Sequence, residues 1–329
     1  MASIGPPGSP QRPLNVVVTG GAGFIGANLC RVLAASTTVG RIVALDDLST
    51  GRRENLADLE GVELVEGTIL DPKLLDEVME GTNAIVHLAA RPSVARSVQD
   101  PLASHLTNAT GTVQVLEAAR RAPDVHVIVA SSSSVYGANL ELPKREDMMP
   151  MPASPYAASK LASEAYTLAY GSSFGLPVLA FRFFNVFGPL QGADHAYAAV
   201  VPAFVSAALR GEELTIHGDG RQTRDFTFVG TVVTVLAEAL RRRITSPTPI
   251  NLAFGSRVSL LELAELLEQI LDRPLPRHHV PRRPGDVQDS QAAQGALRTL
   301  FADTDPVTLT DGLRSTVDWF LQTQGGGAH

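Results

Sequence analysis

The stretch that decides the fold is Thr19-Gly20-Gly21-Ala22-Gly23-Phe24-Ile25-Gly26. An apolar run at 14–18 precedes it and predicts a buried strand, and an apolar segment at 25–33 follows it and predicts a helix. A strand, a glycine turn and a helix in this order are typical of a dinucleotide site. Gly20 permits the tight turn, Gly23 lets the backbone approach a pyrophosphate, and the last glycine lets helix and strand pack closely. The start of the helix then offers N–H groups and a positive dipole end to phosphates.

The composition excludes several classes of function. The 329-residue chain is 44% apolar and 19% charged with a net charge of −7, which is the balance of a globular protein and not of a nucleic-acid binder. Cys30 stands alone and cannot form an internal disulfide. No apolar run reaches the roughly 18 residues of a membrane span, and residues 1–13 lack the apolar core of a signal peptide. We therefore expect a soluble, cytoplasmic enzyme with no membrane or nucleic-acid partner, and a disordered tail over 1–13.

Strands and helices alternate along the first half of the chain. Further short apolar strands are predicted at 42–45, 62–65, 84–88, 125–130 and 178–183. Helical stretches such as those at 74–79 and 111–120 lie between several of them. This βα repeat predicts the α/β class, with a Rossmann-type, doubly wound parallel sheet.

The pattern changes at about residue 186, where the spacing becomes irregular and prolines increase. We therefore predict a dinucleotide-binding Rossmann domain over 14–185 and a smaller C-terminal α/β substrate lobe over 186–329. The boundary is not sharp, because part of the lobe is expected to return to the main sheet. The segment 225–229 is the candidate for that returning strand.

An acidic residue ends the second predicted strand. Asp46 lies 26 residues beyond Gly20, and a carboxylate there can accept hydrogen bonds from the ribose hydroxyls of adenosine while it repels a 2′-phosphate. Arg52 and Arg53 follow closely and favour NADP instead, because an arginine near this position can bind the 2′-phosphate. Because Asp46 lies nearest the strand end, we favour NAD. The alternative is that Asp46 only caps a turn.

A second cluster, Tyr156-Ala157-Ala158-Ser159-Lys160, carries residues with catalytic chemistry. A Tyr and a Lys four positions apart lie on one face of a helix. The ammonium and a positive nicotinamide would stabilise the phenolate and lower the pKa of Tyr156, which makes it a candidate general base at neutral pH. Upstream, Ser131–Ser134 closes the fifth strand, so a hydroxyl there faces the expected ligand crevice.

Eight stretches together form a longer pattern. They are TGGAGFIG (19–26), LDDLSTG (45–51), HLAARPSVARS (87–97), SSSSVYG (131–137), PYAASK (155–160), RFFNVFGP (182–189), GDGRQTRDF (218–226) and RRPGD (282–286). This set resembles the extended short-chain dehydrogenase/reductase family, and within it the nucleotide-sugar 4-epimerases. The resemblance extends from Val16 to about Phe320. It implies tightly bound NAD and epimerisation at C4 of a UDP-sugar through a transient 4-keto intermediate.

The resemblance also implies roles for individual positions. The catalytic residues would be Ser132, Tyr156 and Lys160. The cofactor would be bound by Gly20, Gly23, Phe24, Ile25, Asp46, Asp47, Ser49, Thr50, Gly51, Ile69, Leu88, Ala89, Ala90, Thr107 and Phe184, with Tyr156 and Lys160. The nucleotide sugar would be bound by Ser93, Ser132, Ser133, Asn185, Val201, Thr215, His217, Arg224, Arg283, Asp286 and Ser290. No metal site is implied.

Part of the substrate set has readable chemistry of its own. Arg224 and Arg283 carry guanidinium groups, which suit bidentate contacts to a diphosphate; surface salt bridges are the alternative interpretation. Asp286 can accept a hydrogen bond from a ribose hydroxyl. The family often has an aromatic residue at the position of His217, which indicates weaker or altered stacking on the base here.

Missing residues narrow the reaction. The family's 4,6-dehydratases have acidic residues where this chain has Ser133 and Ser134, and its UDP-glucuronate decarboxylases usually keep one of them. Its glucuronate 4-epimerases usually carry an Arg at the place of Gly192, so a neutral sugar is favoured. Ser290 occupies a position where a bulky residue tends to exclude N-acetyl groups. UDP-glucose/galactose and UDP-GlcNAc/GalNAc are therefore both candidate substrate pairs.

Other interpretations stay open at this stage. A UDP-glucuronate 4-epimerase, or a dehydratase or ketoreductase of deoxysugar nucleotides, fits the same scaffold. A non-catalytic NAD sensor is disfavoured by the intact set of Ser132, Tyr156 and Lys160. The family further implies a homodimer, in which the helix after Asp100 pairs with the helix that carries Tyr156.

Overall fold

The computed structural model describes residues 13–193, 198–282 and 288–325. Its strands are β1 (Leu14–Thr19), β2 (Val39–Asp46), β3 (Val62–Glu66), β4 (Ala84–His87), β5 (His126–Ser132), β6 (Val178–Phe183), β7 (Val186–Phe187), β8 (Leu214–His217), β9 (Thr223–Arg224), β10 (Thr227–Phe228), β11 (Ile250–Leu252), β12 (Val258–Ser259) and β13 (Arg277–Val280). Its helices are α1 (Phe24–Ala34), α2 (Pro72–Met79), α3 (Val94–Gln99), α4 (Pro101–His105), α5 (Gly111–Arg121), α6 (Pro155–Phe174), α7 (Val200–Arg210), α8 (Val229–Arg242), α9 (Leu260–Leu271), α10 (Gly295–Leu300) and α11 (Leu309–Gly325).

The central feature is a seven-stranded sheet in the order β11-β6-β5-β4-β1-β2-β3. Each neighbouring pair in it is parallel. The carboxyl ends of the strands therefore lie at one edge, where Thr19, Asp46, His87 and Ser132 end β1, β2, β4 and β5. The predicted α/β class and doubly wound parallel sheet are confirmed, and the strand order changes direction between β1 and β4, which is where such sheets bind ligands.

Local sequence explains where the longest helix begins and ends. Ser154 caps α6 by accepting a hydrogen bond from the N–H of Ala157 at 3.1 Å, and Pro155 occupies the first helical position. Gly175 ends the helix in the left-handed conformation at a φ of 67°. A serine cap of this kind contributes about 1 kcal/mol. The cap also fixes the first turn of α6, which carries Tyr156.

Apolar side chains cover both faces of the main sheet. On one face α1 and α8 pack against the strands, with Leu29 and Leu236 fully buried. On the other face α2, α5 and α6 pack, with Leu75 and Leu116 fully buried. Because burial of each such side chain contributes roughly 1.5–3 kcal/mol, the sheet is a rigid base for the residues at its edge.

The C-terminal lobe has an apolar cluster of its own. Phe204 of α7, Leu263 of α9 and Leu313 of α11 are buried together in it. Two short sheets border this cluster, formed by the parallel pair β8–β13 and the antiparallel pair β9–β12. No helix in the described ranges combines the length and the apolar run needed to cross a bilayer.

The chain crosses between the sheet and the lobe more than once. The segment 225–229 was the predicted returning strand, and this prediction is wrong, because β10 pairs with β7 in a separate two-stranded sheet. The strand that returns is β11, which pairs with β6 at the edge of the main sheet. It has only three residues, too few to give a strand pattern in the sequence. Helix α8, which precedes β11, also belongs to the core of the main sheet.

Candidate active site

A cleft of about 1370 Å³ lies between the carboxyl edge of the main sheet and the lobe. Most of the predicted site residues line it, and they come from both parts of the chain. They are Gly20, Gly23, Phe24, Ile25, Asp46, Asp47, Ser49, Thr50, Ile69, Leu88, Ala89, Ala90, Ser93, Thr107, Ser132, Ser133, Tyr156, Lys160, Phe184, Asn185, Val201, Thr215, His217, Arg224 and Ser290. The fold therefore brings both predicted halves of the site, dinucleotide and substrate, into one space.

One predicted residue of the described ranges, Gly51, does not line the cleft. Gly51 is buried beside Asp46, and a Cβ at Gly51 would lie 2.7 Å from the Asp46 carboxylate. Its glycine therefore lets the loop close on that carboxylate and need not touch the cofactor itself. Arg283 and Asp286 lie outside the described residues, and their roles stay predictions.

The glycine turn fits a dinucleotide pyrophosphate. Gly20 has a φ of 70°, and a Cβ on it would lie 2.8 Å from the backbone nitrogen of Ala89. A Cβ on Gly26 would collide with the carbonyl oxygen of Gly20. Gly23 caps α1 without any side-chain hydrogen bond, and the first N–H groups of a helix have no partner inside it. The turn therefore presents backbone donors, and no side chain, to an anion.

The Asp46 carboxylate is held for a second interaction. It is 7% exposed, and its oxygens accept hydrogen bonds from the N–H groups of Ala22 at 3.0 Å and Leu48 at 2.9 Å. Burial raises the pKa of Asp46, and these backbone bonds offset part of the rise. A carboxylate has about four acceptor sites, so positions remain for ribose hydroxyls. Arg53, one of the residues that argued for NADP, forms an ion pair with Glu66.

Tyr156, Ser132 and Lys160 meet in the cleft. Tyr156 and Lys160 lie on the first two turns of α6, and Ser132 ends β5. Burial raises the pKa of Tyr156, and a hydrogen bond with the Ser132 side chain lowers it in part. Burial lowers the pKa of Lys160 to about 8, against the opposing effect of Glu164.

These pKa values differ from the sequence prediction. The sequence predicts a lowered pKa for Tyr156, whereas burial in the protein alone raises it. The spacing of Tyr156 and Lys160 was read correctly, but desolvation of a phenol disfavours its charged form. Burial of Tyr156 among the protein's own groups therefore favours its neutral phenol.

A buried histidine connects the end of β1, next to the glycine turn, to α5. The His87 ring lies with Nδ1 2.7 Å from the Thr19 hydroxyl and Nε2 3.0 Å from the Thr112 hydroxyl. The Thr112 hydroxyl donates to the carbonyl of Asn108, so it accepts from His87 Nε2, and Nδ1 accepts from Thr19. Burial, with a smaller effect of Lys160, lowers the pKa of His87 to about 3. The ring is therefore neutral, and it adds no charge beside Lys160.

Asn108 carries this connection to Tyr156. It lies in a π-helical turn, Leu106–Thr110, a feature often found at functional sites. Its side-chain oxygen accepts from the Arg91 N–H at 2.7 Å, and its amide donates to the Ser159 hydroxyl at 2.9 Å. Ser159 in turn donates to the carbonyl of Tyr156 at 2.8 Å. The loop after β4 and the first turns of α6 are thereby fixed relative to each other.

A buried ion pair lies beside Ser131, the residue that precedes Ser132. Arg182 donates two hydrogen bonds to Glu164, at 2.7 and 2.9 Å, and both side chains are at most 4% exposed. The hydroxyl of Ser131 donates to the same carboxylate at 2.7 Å. The Arg182 guanidinium also lies over the Tyr136 ring, 4.7 Å from its centroid. Because every partner is satisfied, this group rigidifies the end of β5.

The substrate side is built from segments that are distant in the chain. The Asn185 amide donates to the carbonyl of Asp225 at 3.3 Å. The Arg224 guanidinium donates to the carbonyls of Thr223 and Gln288 at 2.9 and 3.3 Å. The N–H of Ser290 donates to Thr223 at 3.1 Å. These backbone and side-chain bonds, and no long strand, set the positions of Arg224 and Ser290.

The match to a protein family agrees with this geometry. The model of the NAD dependent epimerase/dehydratase family matches residues 16–253, which include the glycine turn, Ser132, Tyr156 and Lys160. The chain belongs to the NAD-dependent epimerase/dehydratase family. The predicted family is thus confirmed, and NAD is the cofactor of that family. Among the residues that the structure describes, no group of three or more His, Cys, Asp or Glu is arranged to hold a metal ion.

Individual members of the epimerase/dehydratase family are similar over nearly the whole chain. UDP-glucose 4-epimerase of Mycolicibacterium smegmatis is 38% identical over 314 residues, which cover 93% of this chain and 98% of that one. dTDP-glucose 4,6-dehydratase of Streptomyces niveus is 32% identical and covers 93% of both chains. The solved UDP-N-acetylglucosamine 4-epimerase of Methanobrevibacter ruminantium, in complex with UDP-N-acetylmuramic acid, superposes with a TM-score of 0.89 at 34% identity, covering 95% of this chain and 100% of that one. The relatives are enzymes that act on nucleotide sugars, with differing reactions.

Several residues that line the cleft were not predicted from the sequence. Lys144, only 4% exposed, and Trp319 of α11 both line the cleft, as do Gln191 and Gln222. Gln222 lies in the quoted stretch GDGRQTRDF, but for none of the four does the sequence pattern alone indicate a chemical role. His87 was quoted within the HLAARPSVARS stretch, but nothing in the sequence shows that its ring joins Thr19 to Thr112.

Proposed function

We propose that the protein interconverts the C4 epimers of a UDP-sugar, with NAD bound throughout and a transient 4-keto sugar as the intermediate. The observation that carries the proposal is the meeting of Ser132, Tyr156 and Lys160 in one cleft with the glycine turn on one side and Arg224 on the other. A dinucleotide and a nucleotide sugar need these two sides at once. The similarity to 4-epimerases over more than nine tenths of the chain supports it.

The chain's own residues have separate tasks in this reaction. Tyr156 takes the proton of the sugar 4-hydroxyl, and Ser132, which is hydrogen bonded to it, holds the same sugar oxygen and relays the proton. Lys160 binds the nicotinamide ribose and favours the phenolate. Bound NAD would supply the hydride-transfer chemistry. The ketone, held by its diphosphate, turns over in the cleft before reduction on its other face.

The diphosphate is assigned to Arg224 together with the predicted Arg283, and a ribose hydroxyl is assigned to the predicted Asp286. Arg224 lines the cleft, as do Thr215 and His217, which are expected to border the base. A guanidinium suits bidentate binding of phosphate oxygens. The remaining cofactor and sugar contacts follow the residues predicted from the sequence.

The sugar is proposed to be neutral. Leu190, Gln191 and Gly192 line the cleft without a charge, so this stretch offers no cation to a uronate carboxylate. Ser290 also lines the cleft, and its small side chain leaves room for an acetamido group. The substrate pairs are therefore UDP-glucose/UDP-galactose and UDP-GlcNAc/UDP-GalNAc.

The homodimer is proposed on exposed apolar surface. Val98 of α3 and Leu102 of α4 are 66% and 65% exposed, and both helices lie against α6. Apolar residues of α5, such as Val115 and Leu116, are buried against the sheet and do not contribute. Light scattering of the purified chain measures the oligomeric state. We also propose that the protein is cytoplasmic.

The first experiment is an NMR time course without added reductant, on UDP-GlcNAc, UDP-glucose, UDP-galactose and UDP-glucuronate. We expect conversion of a neutral sugar to its C4 epimer. Tyr156→Phe should lower the rate by about 10²–10⁴-fold, because the proton acceptor is lost, while NAD stays bound. Tyr166→Phe is the matched control, since this tyrosine is 47% exposed on the same helix.

The outcomes separate the alternatives. Conversion of UDP-glucuronate alone would replace the neutral sugar by a uronate. Loss of water from the sugar, or net consumption of NAD(P)H, would identify a dehydratase or a ketoreductase. Binding of NAD without turnover of any nucleotide sugar would identify a sensor, and full activity of Tyr156→Phe would refute the role of this tyrosine.

A further inference from the structure

Asp225 is a fully buried carboxylate next to the cleft but not on its wall. Its oxygens accept four hydrogen bonds. Oδ1 accepts from the N–H of Ser256 at 3.1 Å and from its hydroxyl at 3.0 Å. Oδ2 accepts from the N–H groups of Gly255 at 3.0 Å and Ala292 at 2.9 Å. We name this group, Asp225 with Gly255, Ser256 and Ala292, the Asp225 clamp.

The partners of the clamp belong to segments that are distant in the chain. Gly255 and Ser256 lie in the loop after β11, and Ala292 lies two residues beyond Ser290. The segment 288–293 is bonded on one side to Thr223, through Gln288 and Ser290, and on the other to Lys144, through 291 and 293. Asp225 binds the middle of this segment. It follows Arg224 directly, and its carbonyl accepts from the Asn185 amide.

The donor set requires a charged carboxylate. Four donors satisfy the roughly four acceptor sites of an ionised carboxylate, and all four are neutral groups. A protonated carboxyl, or an amide in its place, would direct a hydrogen at one of these donors and break that bond. Burial raises the pKa of Asp225 to about 6, and the four bonds oppose this rise. The side chain is thus ionised at neutral pH, although a buried charge is costly.

We propose that Asp225 is a positioning residue for the nucleotide sugar: its clamp fixes Arg224, Asn185 and Ser290 in one arrangement without touching the substrate. The inference rests on the proposed function, because it takes these three residues as substrate contacts. The NAD side of the cleft does not depend on the clamp. Loss of the clamp therefore loosens substrate binding and leaves the cofactor in place.

The test is Asp225→Asn in the NAD-loaded enzyme. We expect the KM for the nucleotide sugar and the Kd for UDP, measured by calorimetry, each to rise about tenfold, which corresponds to about 1.4 kcal/mol. We expect kcat to change by less than about threefold, because Tyr156, Ser132 and Lys160 are not moved. The NAD content should equal that of the wild type. Asp58→Asn, at an exposed residue paired with Arg31, controls for the lost charge.

Ser256→Ala is the second variant. It removes one donor to Asp225 and the hydroxyl that accepts from the Phe226 N–H at 3.0 Å. We expect the same changes at about two- to threefold, so the proposal is decided even if Asp225→Asn does not fold. An unchanged KM and UDP affinity in a folded variant, or a loss of kcat at constant KM, overturns the clamp. A wild type that binds neither UDP nor any UDP-sugar overturns the proposed function instead.

Discussion

The two halves of the cleft hold their ligands by different means. In the dinucleotide half, formed by β1–β6 with α1, α5 and α6, residues such as Gly20, Asp46 and Ser132 lie at or just beyond the end of a strand, where the parallel sheet sets their positions, and Tyr156 and Lys160 lie on α6, which packs against that sheet. In the substrate half, formed by the lobe with Asn185, the residues stand on short segments joined by side-chain hydrogen bonds. Backbone pairing in the sheet therefore sets the geometry of the dinucleotide half, whereas a few polar contacts between distant segments set that of the substrate half.

Among the described residues each half contains one buried aspartate, and this pair shows the difference. Asp46 receives two backbone bonds and keeps acceptor sites for a ligand, so it is proposed to bind NAD directly. Asp225 receives four bonds and keeps none. The same residue type is therefore a contact in one half and a support in the other.

The largest effect is expected from Gly26→Ala in the dinucleotide half. The new methyl group would collide with the carbonyl oxygen of Gly20, and backbone on both sides must move. We expect loss of bound NAD and a destabilisation of roughly 3 kcal/mol, measured by nucleotide content and by denaturant unfolding. Gly295→Ala is the control, because nothing lies within 4 Å of a Cβ there. Normal NAD content in Gly26→Ala would show that the turn can adapt.

A smaller effect is expected from Asp46→Asn. The amide cannot accept both from the backbone and from ribose hydroxyls as the carboxylate does, so we expect the Kd for NAD to rise about 10–100-fold. Discrimination against NADP should weaken, because the repelling charge is gone. Calorimetry on the cofactor-free protein measures both. Asp46→Asn should lose affinity for NAD and keep affinity for UDP, whereas Asp225→Asn should lose affinity for UDP and keep affinity for NAD. Equal losses of both ligands in both variants would contradict the independence of the two halves.

The smallest effect concerns stability against pH. Burial lowers the pKa of His87 and His126, in the main sheet, to about 3 and about 4 from 6.5. The unfolded chain takes up these protons first, so this stability is present above pH 6.5 and is lost as the pH falls towards 4. Asp225 acts in the opposite sense: its pKa is raised to about 6, so its contribution is present at low pH and is lost as the pH rises through about 6.

Thermal unfolding at pH 7 and pH 5 measures these opposed contributions. Each histidine contributes at most about 1.4 kcal/mol per pH unit, and we expect the wild-type Tm to fall by a few degrees on acidification. The Tm of His126→Gln should fall less, because a glutamine does not titrate. A glutamine can still donate to the Ile244 carbonyl, which lies 2.8 Å from His126 Nε2. Asp225→Asn should fall more. An identical pH dependence in all three proteins would show that other groups dominate.

The same contrast explains what the sequence could predict. The strands that carry the dinucleotide half are continuous apolar runs with local motifs at their ends, so β1 at 14–19 and β6 at 178–183 were predicted almost to the residue. Tyr156 and Lys160 came from local spacing in the same way, whereas Ser132 was selected from the run Ser131–Ser134 by the family resemblance. Their convergence in one cleft follows from strand order, which the βα repeat already implied.

The rest depends on contacts that leave no local pattern. The returning strand was misplaced because β11 is three residues long, and the rise that burial causes in the pKa of Tyr156 has no local pattern because burial is a property of the packed site. Asp225 lies in the quoted stretch GDGRQTRDF, yet its four donors come from 255–256 and 292. A sequence shows that the residue is acidic but not which segments fold around it.

The position of β11 governs how this pocket can be exchanged with that of a relative. A chimera that imports residues 186–329 as one block also imports α8 and the edge strand. In that case Ile250 and Leu252 must match Phe181 and Phe183 of a foreign β6, and α8 must fit a foreign α1. Importing 186–228 and 253–325 as two cassettes, with 229–252 kept native, leaves the seven strands of the main sheet native, but the imported segment that includes α10 must still fit Phe181, against which Phe301 packs. For protein engineering, the residues that set substrate specificity lie in two segments inserted into one framework, and both segments must be transferred together.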